Sequence, residues 1–402
     1  MFSQGERAVP LMHLQYTEQQ QALRDELRAY FGQLMTPDRV ASLAQGELDG
    51  PAYKEIIRIL GRDGWLGLSW PTEYGGQGRS LLDQYIFFDE AQRASVTVPF
   101  LTTNTVGPTI MAFGSDEQKS FFLPRILAGE LHFSIGYSEP GAGTDLASVT
   151  TTAVRDGDHY VINGQKMWTS LIQHADYVWL ACRTDPDAKR HKGLSIIIVP
   201  TDAEGFSYTP VHTIGGGYTS ATYYDDVRVP VSNVVLGENR GWELITNQLN
   251  HERVALSSAG MVERRILDVR RWAQETKLAD GRRVVDQEWV QVSLGRLHAK
   301  LEFLKLLNWK VAWSATKGSV DMADASAVKV FGSEFYIEAC RALMEIVGQA
   351  SVLQKDSAGA VLTADLERMA RNTLVLTFGG GTNEIQRDII SMVGLAMPRA
   401  PR

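Results

Sequence analysis

Ile135-Gly136-Tyr137-Ser138-Glu139-Pro140-Gly141-Ala142-Gly143-Thr144-Asp145 stands where the texture of the chain changes. On its N-terminal side apolar residues recur at helical spacing; on its C-terminal side β-branched and aromatic residues dominate, with turn signals between them. Alternate glycines, the hydroxyls of Ser138 and Thr144, and a rigid Pro140 suit a loop that offers amides and hydroxyls to a planar, hydrogen-bonding ligand. No strand-to-helix context surrounds it, so it is not a dinucleotide fingerprint of the Rossmann type. Taken alone it fits a surface turn as well as a ligand loop.

Upstream, Thr17-Glu18-Gln19-Gln20 has capping-box form, and Leu23, Leu27, Tyr30, Phe31 and Leu34 follow at helical spacing. Pro51 opens a second helix through Ile56, Ile57 and Leu60 to Gly61, and a Gly75-Gly76-Gln77-Gly78 turn leads to a third through Ile86, Phe87 and Phe88. A further helix lies near Thr105 to Phe113, and Ser115 to Gln118 repeats the capping-box form before Phe121 to Leu127. Downstream, strands are expected at Ser148 to Val154, His159 to Ile162, Tyr177 to Arg183, Leu194 to Pro200, Phe206 to His212 and Thr219 to Val229. Turn signals at Asp156-Gly157 and Asn163-Gly164 point to antiparallel hairpins.

From Gly241 the helical period returns. One long helix is expected from Leu244 through Leu249, Val254 and Ile266 to Trp272, then others over Trp289 to Trp313, Ala323 to Val347 and Val361 to Phe378. These lengths suit an antiparallel four-helix bundle, whose apolar faces serve both core and subunit contact. The expected architecture is α+β: a helical part at 1–130, an antiparallel β part at 131–240 and a helical bundle at 241–402.

A chain of 402 residues, 44% hydrophobic and 22% charged, exceeds one ordinary core and buries a substantial interior. The net charge of -7 argues against a nucleic-acid binder that works by phosphate neutralisation. Cys182 and Cys340 lie far apart in apolar surroundings, the pattern of buried thiols in a reducing compartment, and no metal site is expected from them. Met1 to His13 lacks the order of a secretory leader, and no run of about 18 apolar residues occurs. A cytoplasmic location without membrane insertion is therefore expected.

Three further stretches carry chemistry. In Asn163-Gly164-Gln165-Lys166-Met167-Trp168-Thr169-Ser170 a large ring stands beside hydroxyl donors, as the face and edge of a flavin would require; a core tryptophan is the alternative. Thr377-Phe378-Gly379-Gly380-Gly381-Thr382-Asn383-Glu384-Ile385-Gln386-Arg387 joins three glycines to a helix start that Thr382 or Asn383 would cap. It fits a plain turn between helices, or a backbone that a ligand approaches closely. In Asn247-Gln248-Leu249-Asn250-His251-Glu252-Arg253-Val254-Ala255, Glu252 by itself reads as an ordinary helix carboxylate paired with a neighbouring cation.

The order of these motifs along an α-β-α chain, ending in GGGTNEIQR, resembles the acyl-CoA dehydrogenase family of flavoproteins from about Tyr16 onward. More narrowly, SIGYSEPGAGTDLAS, MWTS, LNHERVA and TFGGGTNE are similar to the actinobacterial steroid side-chain members, which often work as two-gene heteromers. The resemblance implies a non-covalent FAD between the β part and the C-terminal bundle. It places Tyr137, Ser138 and Thr144 at the flavin or the start of the acyl-CoA, Trp168 and Ser170 beside the flavin ring, and Thr382, Asn383 and Glu384 at the FAD phosphates. Helix-start amides suit an anion there.

The reaction so implied is α,β-dehydrogenation of a bulky acyl-CoA thioester, a cholesterol-type side chain in β-oxidation, with electron-transfer flavoprotein as acceptor. A base takes the α-proton, the β-hydrogen leaves as hydride to flavin N5, and donors polarise the thioester carbonyl. Many members carry the catalytic glutamate where this chain has Gly380, and some branched-chain and long-chain members carry it where this chain has Glu252. Glu252 is thus the candidate base, Gly380 the polarising donor, and Asn250, Arg253 and Gly381 match positions near the substrate. The stretches 275–281 and 345–351 lack residues by which homotetrameric members reach a neighbour's adenine, which implies a different partner chain and an α2β2 assembly. An oxidase, or a non-catalytic FAD-stabilising subunit, are the competing readings.

Overall fold

A computed structural model describes residues 15–45, 51–252, 257–318 and 320–399, without the side chains of 41, 42, 44, 45, 51 and 249–252. The two capping boxes read from the sequence both form. Thr17 Oγ1 accepts the Gln20 amide at 3.2 Å while Gln20 Oε1 accepts the Thr17 amide at 2.9 Å, which starts α1 (Glu18–Leu34). Leu23, Leu27, Phe31 and Leu34 make its buried stripe. A short α2 (Pro37–Gln45), which the periodicity did not announce, precedes α3 (Pro51–Arg62) and α4 (Leu81–Arg93). Phe31, Ile56, Ile57, Leu60 and Phe87 from α1, α3 and α4 share one core. Arg24 and Arg28 of α1 both reach the buried carboxylate of Glu90 on α4, at 3.0 and 2.8 Å. After a π-helical turn at Thr102–Val106 come α5 (Gly107–Phe113) and α6 (Asp116–Leu127), the latter started by the expected Ser115–Gln118 box.

Among the described residues seven strands form one sheet: β1 (Phe133–Gly136), β2 (Thr152–Asp156), β3 (His159–Lys166), β4 (Tyr177–Arg183), β5 (Leu194–Pro200), β6 (Phe206–His212) and β7 (Tyr218–Pro230). β4, β5 and β6 cover the residues expected, and β2–β3, β4–β5, β3–β7 and β6–β7 pair antiparallel. β1 was not expected, and it runs parallel to β4 from Phe133↔Tyr177 to Gly136↔Leu180. Four residues are too few to show a strand period, and a parallel partner is distant in sequence.

Two expectations for the sheet are corrected. The strand placed at Ser148 to Val154 begins only at Thr152, because the amides of Thr150 and Thr151 are spent on the Glu139 carboxylate, at 2.7 and 2.9 Å, rather than on a ladder. Asn163-Gly164 is no hairpin turn but a bulge within β3, where the register against β7 shifts and Asn163 exchanges hydrogen bonds with Asp226 at 2.8 and 3.0 Å.

β4 and β5 are buried on both faces. Trp179, Ala181, Ile196 and Ile198 meet the π-helical turn, α5, α6 and the next helix, α7 (Gly241–Glu252), through Val106, Ile110, Phe122, Leu244 and Ile245. Val178, Leu180, Cys182, Ile197 and Val199 face the other side, against Tyr160, Ile162 and Tyr224. That double burial is why both strands read as continuous apolar runs.

The single long helix expected from Leu244 to Trp272 is instead two, α7 and α8 (Ala259–Glu275). Ser258 caps α8, and Asp89 of α4 accepts the Ser258 hydroxyl at 2.7 Å and the Gly260 amide at 2.8 Å. Asn308 donates to the Ser257 carbonyl at 2.8 Å, and the Tyr336 hydroxyl donates to that of Ser258. These side chains capture backbone groups that an uninterrupted helix would use itself. α9 (Glu288–Ala315) and α10 (Met322–Val347) follow the expected helices closely. The helix expected over Val361 to Phe378 is shorter: Leu362, Thr363 and Ala364 have positive φ, α11 spans Asp365–Asn372, and Thr373–Thr377 is a 3-10 turn. α12 (Asn383–Ile389) closes the fold. The bundle core joins Val262, Ile266 and Val269 of α8, Leu297, Leu301 and Leu304 of α9, and Phe335, Ala339 and Leu343 of α10.

Candidate active site

β1 delivers the chain to Tyr137, and β3 ends at Lys166, so the two central motifs meet where these strands finish. Met167 donates its amide to the Ser138 carbonyl at 2.8 Å, and Lys166 Nζ donates to the Tyr137 carbonyl at 3.1 Å and to Glu139 Oε1 at 2.8 Å. The Glu139 carboxylate also accepts the Thr150 hydroxyl at 2.8 Å, besides the two threonine amides. Burial alone would raise its pKa, but the Lys166 ammonium and these donors hold it down at about 2. Neither Glu139 nor Lys166 was singled out in the sequence, since nothing local links two residues on different strands.

Trp168 sits between anchored neighbours, because Thr169 donates its amide to the Ser220 carbonyl at 2.9 Å. Its backbone is left-handed, φ 66°, and its side chain is 56% exposed. A non-glycine residue in this region costs about 1–2 kcal/mol. An exposed indole held at such a cost is a presented surface, not the core tryptophan that the sequence also allowed. Thr169 is buried with its hydroxyl 3.3 Å from that of Thr222, while the exposed Ser170 keeps its hydroxyl 3.2 Å from that of Thr219. A Cβ added at Gly141 or Gly143 would meet nothing within 4 Å, so open space borders the amides of that loop, where Thr144 is also exposed. An aromatic face, hydroxyls and an uncrowded peptide edge fit the planar, hydrogen-bonding flavin that the sequence resemblance implies.

α7 closes on this group from the other side. The Tyr137 hydroxyl donates to Gln248 Oε1, and Gln248, 1% exposed, leaves its Nε2 with no partner among the described residues. Glu252 comes four residues later, one helical turn along the same face of α7. The side chains of Asn250 and Glu252, and Arg253 entirely, lie outside the described residues.

The glycine run forms a second group. Gly379 donates its amide to the Val375 carbonyl at 2.7 Å; Gly380 and Gly381 then turn left-handed, at φ 68° and 87°. All three glycines are exposed, and no hydrogen bond joins Gly380 to any described residue. Thr382 caps α12 by accepting the Ile385 amide at 3.3 Å, and Glu384 is exposed beside it. Asn383 differs from the expectation of a ligand-facing group: its side chain is buried, accepting from Lys329 Nζ at 2.7 Å and donating to Ser333 at 3.0 Å and Glu334 at 3.2 Å. Burial lowers the Lys329 pKa to about 8, with Glu384 and Glu334 opposing the shift and Arg387 aiding it. The segment before the run is tied to the sheet, since Arg371 of α11 donates to the Ile214 carbonyl in the loop between β6 and β7.

Gly381→Ala is expected to cost about 1–2 kcal/mol of unfolding free energy. The left-handed φ and a Cβ placed 2.7 Å from Gln386 Nε2 both oppose it. The urea midpoint of the purified chain checks this.

Family models describe the chain almost end to end: acyl-CoA dehydrogenase N-terminal domain over residues 17–130, middle domain over 134–227 and C-terminal domain over 239–395. The acyl-CoA dehydrogenase FadE26 of Mycobacterium tuberculosis (strain ATCC 25618 / H37Rv) is 63% identical, over 97% of this chain and 100% of its own. A chain in the crystal structure of the ChsE4-ChsE5 complex from Mycobacterium tuberculosis superposes with a TM-score of 0.92 at 63% identity, covering 97% and 100% of the two chains. A chain of the Tcur3481-Tcur3483 steroid ACAD superposes equally, with a TM-score of 0.92, 51% identity and the same 97% and 100% coverage.

Proposed function

The chain belongs to the acyl-CoA dehydrogenase family of oxidoreductases, and on that premise we propose that it α,β-dehydrogenates a bulky acyl-CoA, a steroid side-chain thioester of the cholesterol type. The three-part division at 1–130, 131–240 and 241–402 belongs to the same proposal. FAD, when bound, would supply the acceptor for the β-hydrogen, which leaves as hydride. Tyr137, Ser138, Thr144, Trp168 and Ser170 would hold the ring side of that cofactor, and Thr382 and Glu384 with the Asn383 backbone its phosphates. Glu252 takes the α-proton, the Gly380 amide donates to the thioester carbonyl, and Asn250, Arg253 and Gly381 border the substrate.

The observation that carries this assignment is Gly380. It has no side chain and an amide bonded to no described residue, so the glycine run can polarise a carbonyl but cannot remove a proton. A base has to come from another element, and α7, whose Gln248 reaches Tyr137, supports Glu252 in that role. The steroid substrate is supported by the similarity to the steroid ACAD chain.

The complex named for the ChsE4-ChsE5 relative supports a second, related chain as partner in an α2β2 assembly. Exposed Trp289, Val292, Phe303, Leu306 and Trp313 along α9 offer an apolar face for such a contact. The test is co-expression with the neighbouring gene product, followed by a screen of steroid and fatty acyl-CoAs for bleaching of bound flavin. Co-purification as a flavinated heterotetramer and bleaching by steroid thioesters are expected. A fully flavinated, active homotetramer of this chain alone would overturn the assembly. Electrons should pass to electron-transfer flavoprotein; peroxide release at matching rates would make the enzyme an oxidase.

A further inference from the structure

Lys329 occupies a position on α10 where the helical period calls for an apolar or small residue. Ala325, Val328, Gly332 and Ser333 around it are buried, and Lys329 itself is 3% exposed. Its Nζ donates to the Gly381 carbonyl at 2.7 Å and to Asn383 Oδ1 at 2.7 Å, both neutral acceptors, and it forms no ion pair with a described carboxylate. A buried ammonium that no carboxylate touches directly is costly, and a leucine of similar volume would favour the bundle more. What the lysine does that leucine cannot is capture the carbonyl of the second left-handed glycine.

Three successive glycines have the largest backbone freedom a chain can have, so a fixed turn here needs tethers at both ends. The upstream tether is the Gly379 amide on the Val375 carbonyl. Downstream, Lys329 holds Gly381 and, through Asn383, the first residue of α12, while Thr382 caps that helix. Gly380, between them, is bonded to no described residue, so its amide points wherever its two tethered neighbours direct it.

We propose that Lys329 is a positioning residue: by fixing the Gly381 carbonyl and the Asn383 side chain it sets the direction of the Gly380 amide toward the thioester carbonyl. The proposal rests on the reading of Gly380 as that donor. Misdirecting an oxyanion donor by about an ångström costs roughly 10²-fold in rate, with little effect on ground-state binding.

The experiment compares wild type, Lys329→Met and Lys329→Arg in the flavinated enzyme, with its partner chain where the assembly requires one. Hydrogen exchange is followed in peptides spanning 374–389, and kcat and KM are measured with an accepted acyl-CoA. In the methionine variant, exchange at the Phe378 and Gly379 amides, both bonded to the Val375 carbonyl, is expected to rise about tenfold or more while α8 and α9 stay unchanged. Its kcat should fall about 10²-fold at nearly constant KM, with the arginine variant recovering much of both. Unchanged exchange, or faster exchange with unchanged kcat, overturns the proposal. Should Lys329→Met fail to fold, Lys329→Gln, which keeps a donor of shorter reach, takes its place under the same two criteria. A wild-type enzyme that reduces its flavin with no acyl-CoA overturns the reading of the reaction instead. The exchange comparison would then still show whether Lys329 holds the turn, while its role in turnover falls.

Discussion

Glu252→Gln is expected to leave flavin content and acyl-CoA binding close to wild type and to slow flavin reduction by about 10⁴-fold, the upper range for losing a general base. The amide keeps the shape and hydrogen-bonding capacity of the carboxylate but has no basicity for the α-proton. Few other groups could compensate. Gly380 has no side chain, and a carboxylate-bearing residue there would sit at φ 68°, a conformation that disfavours any residue with a Cβ. Glu139, the carboxylate buried where the two central motifs meet, is saturated by Lys166, Thr150 and Thr151 and held at about 2, too acidic to accept a proton at neutral pH. Stopped-flow bleaching of the flavin measures the effect; turnover near normal would remove Glu252 from the mechanism and return the chain to the reading of a supporting subunit.

The largest stability effect is expected at Lys166. Lys166→Met leaves the Glu139 carboxylate buried without its cation, and removing one partner of a buried pair costs about 3–5 kcal/mol. The loss should extend beyond stability, because Lys166 also holds the Tyr137 carbonyl and so joins the two central motifs. Flavin retention is therefore expected to fall together with the urea midpoint. The pH dependence has a definite sign. Glu139 is depressed from an ordinary value of 4.5 to about 2, so its contribution is full above pH 4.5 and is lost as pH falls toward 2. Glu139→Gln should flatten that acid limb; an unfolding midpoint with the same slope between pH 5 and 3 in variant and wild type would sink the assignment.

Much of the fold was legible because its signals are local. A hydroxyl and a carboxamide three residues apart announce the starts of α1 and α6, and the β-branched runs of β4 and β5 stand out because both faces of those strands are covered. The failures share a cause. β1 needs β4 to exist as a strand, the start of β2 is delayed by a carboxylate eleven residues upstream of Thr150, and α8 starts anew at Ser258 because Asp89, Asn308 and Tyr336 converge on the junction. In each case a side chain or strand distant in sequence claimed backbone groups that local preference had assigned elsewhere.

The site divides in the same way. From the sequence alone came the α-β-α order, the two central motifs, the glycine run and the absence of a carboxylate at position 380, since each depends only on residue type and spacing along the chain. A lysine on the buried face of a helix, as at position 329, was visible in principle as a break in the apolar period. Its target was not, nor was the inward turn of Asn383, the union of Glu139 with Lys166, or the left-handed presentation of Trp168. Those depend on which elements pack together. Hydrogen bonds between residues remote in sequence form only once the chain has closed on itself, so the tertiary structure alone decided which groups support the site and which face outward from it.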